Sequence, residues 1–239
     1  MTEHTSSERY FVWRGRNVTR VENLSDIVFA LSLTLIVASS VPHSFDGLIA
    51  LWREAIALAM CFALILLIWS KHHAFHRRYG LDDGPTIFLN SIVLFLIMVF
   101  AYPLKFLALF LVNFFTGFYR TGAEINAVMP LDSVAWFIII YATGYAAVFG
   151  IFALLYAHAL RRKEDLGLSE SEVIMTRLEV QQGIASILIS LLAATVALLM
   201  PYGFAPFGGS VYFLMWPVMS FLSRRARKRA ELVYASAGG

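Results

Sequence analysis

Six long apolar blocks, at 27–41, 48–70, 87–115, 134–160, 178–200 and 205–222, leave this chain few ways to fold. A helix needs about 20 predominantly apolar residues to cross about 30 Å of hydrocarbon, and each block approaches or exceeds that length. With 59% of its 239 residues hydrophobic and a mean hydropathy of +0.70, the chain has little sequence left for a soluble domain. The expectation is an all-α, polytopic membrane protein with six transmembrane helices. The third block is long enough to tilt or to bend at Pro103, and the sixth is short and carries Pro206 and Pro217.

Basic residues fix the expected orientation. Arg9, Arg14, Arg16 and Arg20 precede the first block; Lys71, Arg77 and Arg78 follow the second; Arg161, Arg162, Lys163 and Arg177 join the fourth and fifth; Arg224, Arg225, Arg227, Lys228 and Arg229 follow the sixth. Only Arg53, Lys105 and Arg120 of the nineteen Lys and Arg fall elsewhere, so both termini are expected in the cytoplasm. The basic charge is thus spread over membrane-flanking loops and does not signal nucleic acid. Residues 1–239 read as one transmembrane domain, with a short cytoplasmic segment at 1–19 and a basic tail at 224–239. The first block ends Ala38-Ser-Ser-Val-Pro42, like a signal-peptide core, but Glu3, Glu8, Glu22 and Asp26 sit badly with that reading. The single Cys61 excludes an intrachain disulfide.

Polar residues in such a chain demand partners. Asp26 stands where the first block enters hydrocarbon, which costs about 2.5–3.5 kcal/mol on insertion scales unless a partner lies inside the helix bundle. Stepping about 100° per residue, Leu31, Thr34, Leu35 and Ala38 share one stripe, Ser25, Ser32 and Ser39 a second suited to close packing, and Asp26 faces away from the first. At the cytoplasmic end of the second block, His72 or His73 is expected to meet the Ser25-Asp26 end of the first helix, with Trp69 packed beside it. Asn90 adds an amide near that level. His72 and His76 have a metal-chelating spacing, but no Glu or Cys joins them. Ser169 and Glu172 have the spacing of a helix capping box.

Arg20-x-x-x-Leu24-Ser25-Asp26, followed by Trp69-x-x-His72-His73-x-Phe75, Leu89-Asn90 and Pro103, resembles the TMEM175 family of potassium channels. The likeness is dense over about residues 20–110, and Leu24 stands where that family's signature has phenylalanine. The resemblance implies a prokaryotic single-repeat subunit of a cell membrane, expected to be a bacterial inner membrane. Such subunits form a homotetramer around a central pore lined by the first helices, which passes K⁺ in preference to other monovalent cations and needs no cofactor. Carried onto this sequence, Leu31 would form the narrowest ring, with Thr34 or Leu35 and then Ala38 as further layers. Arg20, Ser25, Asp26, Trp69, His72, His73 and Asn90 would be structural anchors rather than pore ligands.

A leucine ring gates by dewetting and differs from a filter of backbone carbonyls. Thr143-Gly144-Tyr145-Ala146 lacks the second glycine of such a filter and lies within an uninterrupted apolar block. No block carries arginines at three-residue intervals, so strong voltage gating is not expected. The principal alternative is a proton-coupled secondary transporter relaying protons between Asp26 and a histidine of the second helix. A membrane metal enzyme built on the same histidines is the third reading. Lipid is the expected surrounding partner in each case.

Overall fold

The computed structural model describes residues 10–38, 43–116, 122–201 and 204–237, and every element within them is helical. Arg9, Ser39 and Arg120, and the end of the first block at 39–41, lie outside the described residues. The helices are α1 (Arg20–Ala38), α2 (Phe45–Tyr79), α3 (Gly84–Phe115), α4 (Gly122–Val128), α5 (Val134–Arg161), α6 (Glu170–Leu199), α7 (Phe207–Ser210) and α8 (Met215–Ala237). Five of them, α1, α2, α3, α5 and α6, are long and apolar enough to cross a membrane among the described residues.

The sixth apolar block differs from an even span. Residues 207–222 are divided between α7, a 3₁₀ turn at Val211–Leu214 and the first turns of α8. The helix then continues through the basic tail to Ala237. Gly208 gives this segment its close approach: a Cβ there would come within 2.7 Å of the Ala197 Cβ and 2.8 Å of the Ala193 carbonyl. On α8, Ala226 and Ala230 are buried while Arg224, Arg225, Arg227, Lys228 and Arg229 stay exposed. Gln182 on α6 donates to Ser223 at 3.0 Å.

α1, α2 and α3 pack on one another, α6 packs on α5 and α8, and the α3–α5 contact joins the two groups. Helix ends carry the local stops expected from sequence chemistry. Asp83 caps α3, accepting from the Thr86 amide at 3.2 Å, with Pro85 in the first turn, where a missing amide proton costs nothing. Ser169 and Glu172 form the reciprocal capping box at the start of α6. A second box opens α1, where Glu22 accepts from the Thr19 amide at 2.9 Å and Thr19 accepts from the Glu22 amide at 3.2 Å. α3 stays helical through Pro103, whose carbonyl accepts from the Tyr141 hydroxyl on α5.

Residues 10–19 form a strap across the C-terminal end of α2 and the N-terminal end of α6. Arg14 places its guanidinium on Glu172, at 2.7 Å from Oε1 and 3.0 Å from Oε2, and also donates to the Leu166 and Gly167 carbonyls. Trp13 lies under the Arg77 guanidinium and Phe11 under that of Arg78, each 4.5 Å from the ring centre. Contact is close enough that a Cβ on Gly15 would collide with the His76 carbonyl. Gly80 takes a φ of +58° with Arg14 backbone 3.1 Å from where its Cβ would be.

Asp83 also ties the two helix groups together. It accepts from Arg162 at 2.8 Å and pairs with His158 at 2.7 Å, joining the start of α3 to the end of α5. Burial acts to raise its pKa, but hydrogen bonds from the Thr86 hydroxyl, His158, the Thr86 amide and Arg162 outweigh it and hold the carboxyl well below the usual carboxylate range. Its stabilising contribution is therefore complete above the unfolded value, about pH 4, and is lost as pH falls toward the folded value. Thermal melts of solubilised protein should show an acid limb below about pH 4 that Asp83→Asn flattens while lowering stability at neutral pH. A pH profile identical in the two proteins would contradict this. Gly15→Ala should cost about 1–3 kcal/mol by overpacking, read as a lower melting temperature.

Candidate functional site

The apolar interior where α1, α2 and α3 meet contains one continuous polar chain. Its members arrive from three elements: Ser25 from α1, His72 from α2 and Asn90 from α3. All three are buried, with exposures of 0%, 2% and 1%. His72 Nε2 lies 2.6 Å from Asn90 Oδ1; since that oxygen only accepts, Nε2 carries the proton. Asn90 Nδ2 donates to Ser25 Oγ at 3.0 Å, and Ser25 Oγ donates to the Val21 carbonyl at 2.7 Å. Each donor in this sequence of bonds meets an acceptor, which is the condition for a polar group to sit in an apolar bundle.

A second contact lies beside it at the bundle edge. Trp69 Nε1 donates to Asp26 Oδ1 at 2.8 Å, and the Trp69 ring stacks on His73 with centroids 5.3 Å apart. The two histidines left open by the sequence thus divide the work: His72 reaches Ser25 through Asn90, and His73 supports the tryptophan that holds Asp26. Phe29 on α1 closes the site over His72, with ring centroids 5.7 Å apart.

Arg20 is exposed at the first residue of α1 and makes no hydrogen bond or ion pair among the described residues. The arginine that carries the network at this end of the bundle is Arg14, which no sequence motif singles out. Its partner Glu172 lies 158 residues away, and no local pattern announces such a pair. Thr19 and Glu22 were legible in principle, because Thr-x-x-Glu before an apolar run is a helix-start signature.

His76 sits one turn beyond His72, with ring centroids 4.5 Å apart. It is 2% exposed, and both its ring nitrogens lack hydrogen-bond partners among the described residues. No group of three or more potential metal ligands occurs among those residues. A cavity of about 240 Å³ lies nearby, between the strap and the start of α1, lined by Arg14, Arg16, Asn17, Thr19, Glu22, His76 and the two glycines Gly15 and Gly80.

The stripe of Leu31, Thr34, Leu35 and Ala38 points the other way. Leu31 is 44% exposed, Thr34 and Ala38 are exposed, and Leu35 is half-buried. Opposite them, Ser25, Phe29, Ser32 and Ile36 are buried against α2 and α3. The serines sink their hydroxyls into the helix itself, Ser32 donating to the Val28 carbonyl at 2.8 Å, so the backbones can approach closely. Thr34 likewise donates to the Ala30 carbonyl at 2.9 Å, which leaves its oxygen lone pairs facing outward.

Residues 20–101 match a family model described as the endosomal/lysosomal potassium channel TMEM175. A potassium channel of Marivirga tractuosa is 36% identical over 228 residues, 92% of each chain. A potassium channel of Chamaesiphon minutus is 30% identical over 103 residues, 39% of this chain and 51% of that one. In three dimensions the chain is similar to a crystal structure of the potassium channel MtTMEM175, a variant bound to a nanobody–MBP fusion. The TM-score there is 0.81 at 36% identity, covering 91% of this chain and 97% of that one. It shares its fold, at a TM-score of 0.51 and 19% identity, with a TMEM175 homologue from Chamaesiphon minutus; 87% and 96% of the two chains are covered.

The polar chain gives opposite expectations for two neighbouring residues. Asn90→Leu strands His72 and Ser25 and should lower stability by about 1–3 kcal/mol. His76→Phe removes two unsatisfied nitrogens and should leave the melting temperature unchanged or raise it. Differential scanning fluorimetry of the solubilised variants distinguishes them, and equal losses at both positions would refute the assignment.

Proposed function

This chain belongs to the TMEM175 family of potassium channels, whose members are ion channels and not enzymes, and from that premise we propose that it forms a K⁺-preferring cation leak channel. The subunit is a multi-pass membrane protein; in the proposed assembly four copies surround a pore lined by α1. The observation that carries this reading is the two-sided character of α1. One side is fixed by Ser25, Ser32 and the Asn90–His72 chain, and the other presents Leu31, Thr34 and Ala38, which no described helix of its own chain covers.

In this reading Leu31 forms the constriction, with Thr34, Leu35 and Ala38 as further layers. A ring of leucines leaves water a narrow apolar neck and gates by dewetting. Thr34 offers oxygen lone pairs to the ion or its hydration shell and is the source of K⁺ preference. Asp26 and Trp69, Ser25, His72, His73 and Asn90 position the helix and do not touch the ion. Arg20, exposed in the single chain, belongs to the same cytoplasmic rim. The segment α7–α8 completes the sixth crossing, both termini are cytoplasmic, and the whole chain is one domain of a cell membrane. The distribution of Lys and Arg supports this orientation.

Purified protein in a planar bilayer with K⁺ on one side and Na⁺ on the other tests the reading. The current should reverse toward the K⁺ equilibrium potential, Leu31→Ala should raise conductance, and Asp26→Asn should impair assembly. Flux abolished by Asp26→Asn in a folded protein, with Leu31→Ala silent, would support a proton-coupled carrier instead.

A further inference from the structure

A lysine inside a membrane bundle is costly and marks a place where its charge is used. Lys105 lies on α3, past Pro103, on the level where α1 ends. Its side chain is only 12% exposed. Nζ donates to the Ile36 carbonyl at 3.1 Å, and Ile36 is two residues from the C-terminus of α1. The Glu54 carboxylate of α2 stands 3.9 Å from the same Nζ. One cation therefore meets both the negative end of a helix dipole and a partly exposed acid.

We infer that Lys105 sets the electrostatic potential at the far mouth of the conduction path, balancing the C-terminal end of α1 and Glu54. This rests on the proposal that α1 lines the pore. Ile36 faces away from the Leu31 stripe, so Lys105 acts from behind the helix and does not obstruct the path. With Lys105 in place, the dipole end and the carboxylate are both compensated. With a neutral side chain in its place, each subunit would lose one positive charge at the end of α1 and the mouth would concentrate cations. Glu54→Gln has the opposite effect, since it removes one negative charge from the same mouth. A unit charge about 10 Å away through water changes local cation occupancy about twofold unscreened and about 1.3-fold behind one screening length, so the charges of several subunits together give about twofold.

The charge role separates from a purely structural one by its dependence on salt. Single-channel conductance would be recorded for wild type, Lys105→Met, Lys105→Arg and Glu54→Gln at about 0.1 M and about 1 M KCl, between which the screening length shrinks from about 10 Å to about 3 Å. At the lower concentration Lys105→Met should conduct about twofold more than wild type and Glu54→Gln about twofold less, with Lys105→Arg unchanged. At the higher concentration all four should converge. Equal conductances at low salt, or differences that persist at high salt, would overturn the inference. If Lys105→Met does not assemble, the sign and salt dependence of Glu54→Gln against Lys105→Arg decide it. Leu31→Ala recorded in parallel separates the two proposals: a response to Leu31→Ala without a response to the charge variants sinks only this inference, and no response to any of them sinks the α1 pore as well.

Discussion

The structure depends on keeping polar groups satisfied where no water can reach them. Ser25, His72 and Asn90 come from three different helices, yet their bonds form one unbroken chain that ends on the Val21 carbonyl. An interhelical hydrogen bond in a membrane is worth only about 0.6–2 kcal/mol, so its value here is not chiefly energetic. Apolar side chains slide past one another in lipid at little cost. A polar chain with a single satisfied arrangement fixes the rotation and height of α1 against α2 and α3.

That rotation has a consequence on the opposite side of the helix. Because Ser25, Ser32 and Ile36 must face the bundle, Leu31, Thr34 and Ala38 must face away from it. The N-terminal start of α1 is held by the Thr19–Glu22 box and by the strap that Arg14 fastens to Glu172. Its far end is held by Lys105 on the Ile36 carbonyl. Position, rotation and both ends of the helix are thus set by contacts outside the exposed stripe. In the proposed channel this leaves the stripe's residues constrained by the conduction path alone, so substitutions there can alter flux without altering the fold.

Much of the fold was legible in the sequence because hydrocarbon imposes length. Apolar blocks that approach or exceed the thickness of the bilayer core appear as α1, α2, α3, α5 and α6. The sixth block was less legible: Pro206, Gly208, Gly209 and Pro217 divide it between short elements, and the basic tail, read as an appendage, continues α8 against α6. The capping box at Ser169 was legible since its signal is local. The one at Thr19 has the same signal and was overlooked.

The sequence by itself determined which residues called for partners, since a serine, an asparagine or an aspartate beside hydrocarbon is costly without one, and it determined the faces of α1, since helical periodicity fixes them. Tertiary structure alone decided who the partners are. That Asn90 mediates between His72 and Ser25, that Trp69 rather than a histidine holds Asp26, and that Arg14 reaches Glu172 while Arg20 stays exposed all follow from how the helices cross. Periodicity gives each helix a direction for its side chains, but the pairing of residues 18 to 158 positions apart is set only when their surfaces pack.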